Sequence, residues 1–403
     1  MDVILHNIIP FLAILVVLVV VHELGHFVTA KLAGVKVLEF GFGYPPRLWG
    51  VKRGETEYTI NALPLGGFVR LLGEEDPGDP RSLAAKPRWV RIVVLASGAV
   101  MNVVLAIVLL SLAVMIPREV DLSRARVGDV VPGSPAAAAD LRPGDVIFAV
   151  NGTDVQGVGE LGYQIRLNLG HTIDLTVRRQ EGASSEFITV PVYARWSASS
   201  YIDEDGNKRP QGPTGITIGP AYGSIEPISL EEQAEIAKDL PPGETVPKTR
   251  LVPFSDTQWE KNPLTAVVDG TKRSWESLVL ARNEIISRIR GGVGGSGGFQ
   301  VTGPVGIAQL TGEVVEEAGW KSLMEFAALI SMNLAVLNIL PLPMLDGGRV
   351  FFVLIEIARR GKRIAPEREA MVHFVGMVVL LSLVVVITFF DVARIWEGEG
   401  IIR

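Results

Sequence analysis

Residues 8–30 read IIPFLAILVVLVVVHELGHFVTA, and the architecture follows from how this stretch is read. Fourteen apolar residues run unbroken up to His22. As a helix the stretch is about 34 Å long, enough to cross a hydrocarbon core of about 30 Å. Three more blocks of similar character occupy residues 92–116, 323–345 and 371–390. One such block fits a buried core helix of a soluble protein; four of them define an integral membrane protein. A cleavable signal peptide is the rival reading of the first block. No Lys or Arg precedes Lys31 and no small-residue cleavage pattern follows the apolar run, so it reads as a retained span.

Nearly half of the 403 residues are apolar, cysteine is absent and the formal net charge is −6. Without cysteine there are no disulfides, thiolate metal ligands or cysteine nucleophiles. No basic patch of the nucleic-acid-binding kind stands out; the expected partner surface is the lipid bilayer. Basic residues do set an orientation. Ten Lys or Arg fall between residues 31 and 91, and six between 349 and 368. Both short connections therefore face the cytoplasm, which leaves the termini and the long 117–322 segment outside.

The first of these connections is not plain loop. EFGFGYPPRLWG (39–50) and ETEYTINALPLGGFVRLL (55–72) predict short strands and turns. Beside a membrane they form a hairpin at the interface, because backbone at that depth must be buried in protein or line a wet cavity. In the outer segment, residues 124–155 predict a strand, a short helix and a second strand, and residues 160–169 a further helix. The expected divisions are a first span (1–37), the hairpin region (38–90), a second span (91–117) and a compact α/β module (118–222). An extended insertion (223–262), an amphipathic helix with a glycine-rich link (263–322), a third span (323–348), a basic loop (349–370) and a fourth span with its tail (371–403) complete the chain.

The chemistry concentrates in His22-Glu23-Leu24-Gly25-His26. On a helix, residues four apart share a face, with Cβ atoms about 6 Å apart, so both imidazoles can bind one metal. Glu23 is then placed to act as general base toward a water on that metal. Unused polar residues in a span are costly, on the order of 2.5–3.5 kcal/mol for an acidic group at mid-bilayer. Interfacial residues at a helix exit are the bland alternative, and a complete motif behind fourteen apolar residues speaks against it.

A catalytic zinc keeps three protein ligands. His6, His171 and His373 lie in unsuitable places along the chain, so the best third ligand is Asp346, within NILPLPMLDGG (338–348). Two prolines disrupt the helix there and let the aspartate turn inward; a simple helix-end turn residue is the alternative. Asn338 has two open roles, a hydrogen bond to substrate backbone or oxyanion and a bond to a neighbouring helix.

HELGH in the first span with NILPLPMLDGG in the third resembles the site-2 protease family of intramembrane zinc metalloproteases, in its bacterial RseP/RasP-like branch. The resemblance covers nearly the whole chain. GFG (41–43) and PLGGFVRLLGE (64–74) resemble the branch's membrane-associated β-hairpin, SPAAAADLRPGDVIFAVNG (134–152) its extracytoplasmic PDZ domain, and GPVGIA (303–308) its run before the third span. Residues 98–101 read GAVM where the family usually carries Gly-Pro before Asn102, and one PDZ module is recognisable rather than two.

The resemblance implies a polytopic α-helical membrane protein with four transmembrane helices, a membrane-associated β-hairpin region and a PDZ-like α/β domain. It implies Zn2+ held by His22, His26 and Asp346, with Glu23 as catalytic acid and base. Asn338, Pro341, Gly41 and Gly43 fall near the substrate. The implied substrate is a single-pass membrane protein in the bacterial plasma membrane, either an anti-sigma factor first trimmed by a site-1 protease or a remnant signal peptide. The PDZ-like module has two roles open to it, a receptor for a C-terminal carboxylate or a filter against bulky outer domains. The absence of a Gly-Leu-Gly-Phe-like loop favours the filter. The rival functions are a catalytically inactive scaffold or receptor of the same architecture and, more remotely, a channel or transporter, which the lack of repeat symmetry disfavours.

Overall fold

The computed structural model describes residues 7–74, 76–181, 184–197, 200–202, 208–229, 232–233, 236, 246–291 and 303–396. Helix α1 (Ile9–Leu32) leads into strands β1 (Val37–Arg53) and β2 (Thr56–Leu71) and then helix α2 (Arg88–Met115). Strands β3 (Arg118–Asp121) and β4 (Ala125–Val130), helix α3 (Pro135–Ala138), strands β5 (Val146–Val150) and β6 (Thr153–Asp154) and helix α4 (Val158–Leu167) follow. The strand-rich middle ends with β7 (Thr172–Glu181), β8 (Ser184–Tyr193), β9 (Ser200–Ile202), β10 (Lys208–Pro210), β11 (Ile216–Pro220), β12 (Gly223–Pro227), β13 (Thr249–Pro253) and β14 (Ser255–Gln258). Four helices close the chain: α5 (Pro263–Gly291), α6 (Pro304–Ile339), α7 (Asp346–Ala358) and α8 (Pro366–Trp396). Two units result, one of Met1–Ile116, Glu260–Ser277 and Val301–Arg403, the other of Pro117–Trp259 and Leu278–Gln300.

In the first unit, α1, α2, the Lys321–Ile339 part of α6 and the Pro366–Ala393 part of α8 are long and apolar enough to cross a membrane. The buried residues of α1 are Leu18, His22, Gly25, His26 and Ala30, the spacing of a single helix face. Gly25 permits a close crossing with α2, since a Cβ there would lie 2.5 Å from the Ser97 carbonyl oxygen. Small residues at such a seam let two backbones approach within a bilayer. Helix α6 also packs on α2, and its Ser331 hydroxyl donates to the Asn102 carbonyl at 2.8 Å.

Two boundaries differ from the sequence expectation. Helix α6 starts at Pro304, well before residue 323, so 304–322 is helix and not link. The reason is visible in its first turn, where Asp391 of α8 accepts from the amides of Gly303 at 2.9 Å and Gly306 at 3.0 Å. A carboxylate on the unpaired amides of a helix N-terminus stabilises it through both hydrogen bonds and charge. Of the glycine-rich link, residues 292–298 lie outside the described residues. The basic stretch 349–370 likewise holds most of α7 and the start of α8 rather than a loop. Glu356 of α7 is buried and receives Arg91 at 2.6 Å and Arg88 at 3.2 Å, with Arg363 at 3.4 Å. Some of the basic residues that suggest a solvated loop are thus ion-pair partners.

The β1–β2 hairpin is folded over on itself. Phe40 pairs with both Val69 and Tyr58, and Gly41 with both Phe68 and Thr59. The ribbons therefore lie in the order 47–53, 56–61, 37–44 and 63–71. Residues 63–71 form an outer edge. Lys31 at the end of α1 and Arg81 both donate to Glu55 in the hairpin turn, at 2.8 and 2.6 Å.

The second unit is built on a sheet with β11-β4-β5-β7-β8 as neighbours and β6 beside β5. Leu161 and Ile165 of α4 join Ile147, Ile173, Leu175 and Val192 in its core. Asn283, in the second half of α5, donates to the carbonyls of Arg166 and Leu167 at 2.8 and 3.0 Å, satisfying the end of α4. The stretch 223–262, expected as an extended insertion, contains paired strands: β12 pairs with β13, and β14 with β3. The last pairing joins segments more than a hundred residues apart in sequence, which local periodicity does not register.

Candidate metal centre

Helix α1 presents His22 and His26 on one face, one turn apart, while Asp346 opens α7. His22 Nε2 lies 3.0 Å from Asp346 Oδ2, His26 Nε2 lies 3.2 Å from the same oxygen, and the two Nε2 atoms are 3.3 Å apart. Among the described residues this is the one cluster of three or more His, Cys, Asp or Glu able to hold a metal ion. Donors about 2.0–2.1 Å from a tetrahedral zinc are separated by about 3.3 Å. The three edges match that figure, and two imidazoles with one carboxylate form a common catalytic zinc set. The residues fit zinc.

The surroundings hold the rings in place. His26 Nδ1 donates to the Val94 carbonyl of α2 at 2.8 Å. A carbonyl only accepts, so Nδ1 carries the hydrogen and Nε2 keeps its lone pair for the cluster. Asn102 Nδ2 lies 3.3 Å from His22 Nδ1. Between these two contacts sits Gly98, where a Cβ would meet His26 Nε2 and come within 2.6 Å of His22 Nε2. No other residue leaves room for the rings.

Asp346 reaches the cluster because helix α6 stops at Ile339 and the chain turns through 340–345. Gly347 packs directly on the backbone of Ile339 and Leu340, and Gly348 on that of Leu342. Met344 adopts a φ of 81°, and its amide donates to His373 Nδ1 of α8 at 2.8 Å. Gly376 of α8 packs directly against Pro343.

Glu23 sits between the histidines in sequence, with its carboxylate against the backbone amide of Val69. Gly67 allows this approach: a Cβ there would lie 3.2 Å from Glu23 Cγ and 3.0 Å from Val19. The outer edge of the hairpin therefore runs beside Glu23.

The remaining expected site residues are placed differently. Asn338 is buried in the last turn of α6, and Pro341 is exposed in the turn that follows. Gly41 packs against the Phe68 ring, and Gly43, with φ of 77°, against the Leu63 carbonyl. Those glycine contacts lie inside the hairpin and not in the metal cluster. Sequence reasoning assigned no role to Gly67, Val94, Gly98 or Asn102. Asn102 carried a signal, as a lone amide in an otherwise apolar span.

Four helices apolar enough to cross a membrane, a hairpin and a His-His-Asp cluster with both histidines buried define a helical membrane metalloprotein. The model of peptidase family M50 matches residues 10–383, and the chain belongs to that family of site-2 proteases; it is a zinc metalloprotease. A chain of Clostridium perfringens (strain 13 / Type A), provisionally named a zinc metalloprotease, is 32% identical over 376 residues, covering 93% of this chain and 95% of its own. Zinc metalloprotease RasP of Oceanobacillus iheyensis is 26% identical over 472 residues, with 97% and 99% covered. Regulator of sigma-W protease RasP of Bacillus subtilis is 27% identical over 474 residues, again with 97% and 99% covered.

Proposed function

We propose that this protein cuts transmembrane segments of single-pass membrane proteins, with His22, His26 and Asp346 as zinc ligands and Glu23 as the base. The observation that carries this reading is the triangle of donor atoms with edges of 3.0, 3.2 and 3.3 Å. Bound there, zinc supplies Lewis acidity toward a carbonyl oxygen and toward a water, lowering the latter's pKa to about 7. Glu23 takes the proton of the attacking water and returns it to the departing amide nitrogen. The hairpin edge at 63–71 receives an extended, unwound segment by strand addition and carries it past Glu23. Unwinding is required because a helical peptide bond is shielded by its own hydrogen bonding. Asn338 and Pro341 line the substrate side, and Asn338 donates to its backbone.

We place the basic connections on the cytoplasmic side of a bacterial plasma membrane, which sets the centre near that face. Likeness to a regulator of sigma-W protease supports an anti-sigma factor, already cut once by another protease, as the substrate; remnant signal peptides are the second class. The 118–222 module is a PDZ-like domain on this reading. It acts there as a filter against substrates with bulky outer domains.

The test is a paired assay of the purified, detergent-solubilised protein. Wild type and Glu23→Gln are compared for bound zinc and for cleavage of a model single-pass substrate. Zinc in both, with cleavage reduced at least about 100-fold in the variant, is the expected result. Undiminished cleavage by Glu23→Gln overturns the role of Glu23, and zinc without cleavage of any trimmed substrate by wild type favours the inactive scaffold.

A further inference from the structure

We propose that Asn102 is a positioning residue that selects the metal-binding tautomer of His22, its carboxamide oxygen accepting from the Nδ1–H. The inference rests on the metal centre proposed above. Asn102 is 0% exposed within α2, and its backbone carbonyl is fixed by the Ser331 hydroxyl of α6. Its Nδ2 lies 3.3 Å from His22 Nδ1, while its Oδ1 has no hydrogen-bond partner among the described residues. The carboxamide thus has one partnered and one unpartnered end, so either orientation leaves one polar group unpaired and the choice between them rests on what His22 must do.

The two histidines differ in how their tautomers are set. For His26 the Val94 carbonyl settles the matter, because it only accepts. For His22 the neighbour is an amide, which offers a donor on one side and an acceptor on the other. With the NH2 group toward Nδ1, that nitrogen must be bare. His22 Nε2 then carries the hydrogen and directs it to Asp346 Oδ2, 3.0 Å away. That arrangement closes the cluster on itself. With the amide turned over, Oδ1 accepts from Nδ1–H, and the Nε2 lone pair joins those of His26 Nε2 and Asp346 Oδ2. Carboxamide oxygen and nitrogen occupy interchangeable positions, so the turn needs no movement of α2. Asparagine serves both arrangements, aspartate of equal size serves only the second, and leucine serves neither.

This ordering gives the experiment. Zinc affinity of the full-length protein in detergent is measured by competition with a chromophoric chelator for wild type, Asn102→Asp, Asn102→Leu and His22→Ala, with metal-free thermal melting alongside. We expect Asn102→Asp within about threefold of wild type and Asn102→Leu weaker by about 10–100-fold, the usual scale for losing a partner behind a metal-bound histidine. Should Asn102→Leu fail to fold, Asn102→Ala replaces it in the same comparison. Wild-type affinity in the leucine variant, or equal losses in the leucine and aspartate variants, overturns the role of Asn102. Zinc bound equally well by His22→Ala overturns the metal centre itself, and this inference with it.

Discussion

At the scale of single residues, the cluster depends as much on what is missing as on what is present. Gly98 supplies no atom to the metal site, yet a single methyl there would occupy the space of both imidazoles. Gly98→Ala is expected to weaken zinc binding by an order of magnitude or more. The metal-free protein should melt somewhat lower too, since displacing the buried rings costs about 1–3 kcal/mol, only partly offset by alanine's preference of about 0.5–1 kcal/mol for a helix interior. Chelator competition together with metal-free melting checks this, and unchanged affinity would contradict the crowding argument. The sequence made His22, Glu23 and His26 legible because their four-residue spacing is a property of one helix. Asp346 was found by elimination and by the prolines before it. Gly98 and Asn102 stayed silent, because their importance lies in which ring of another helix they face, and spacing along α2 does not encode that.

At the scale of elements, the hairpin edge at 63–71 is the proposed docking strand for a substrate, beside Glu23. Val69→Pro removes the amide that lies against Glu23 and disrupts that edge. The expected outcome is a drop in substrate cleavage of about tenfold or more with zinc content retained. Cleavage at the wild-type rate, with zinc bound, would count against strand addition. The hairpin itself was readable from alternating aromatic and glycine residues, whereas its double pairing was not. The early start of α6 escaped notice for a similar reason: the group that caps it, Asp391, is 88 residues away in sequence. Helix α7 was hidden by the basic residues that follow it; its own Glu356 is buried against Arg88 and Arg91 of α2 and Arg363 beyond its end.

At the scale of the molecule, remote segments of the first unit are tied by few but specific links. Glu55 joins the end of α1, the hairpin turn and the connection before α2. Hydrogen bonds from Lys31 and then Arg81 hold its carboxyl down to about 2. A depressed carboxyl stabilises the fold above its ordinary pKa, and the contribution is lost as pH falls toward the folded value. Acidification from about pH 5 to 2.5 should therefore release the hairpin turn, seen as lower amide protection at Gly54–Thr56 relative to the intrinsic exchange rate at each pH. Glu55→Gln should remove that pH dependence; an unchanged pH response in the variant would rule this tether out.

Helix α8 is fastened at two levels, by Asp391 to the first turn of α6 and by His373 to the chain just before Asp346. Between them its inner face borders an apolar hollow of about 540 Å3, lined by Pro343, Leu345, Val375, Val379 and Leu383 among others. The eighteen residues separating the two fastenings make an arm of about 27 Å. Pivoting on Asp391, a tilt of about 5° would swing His373 by about 2.4 Å on that arm, more than the tolerance of a metal–ligand bond. Helix α8 is thus set like a lever, with its pivot at Asp391 and its far end two residues from the aspartate.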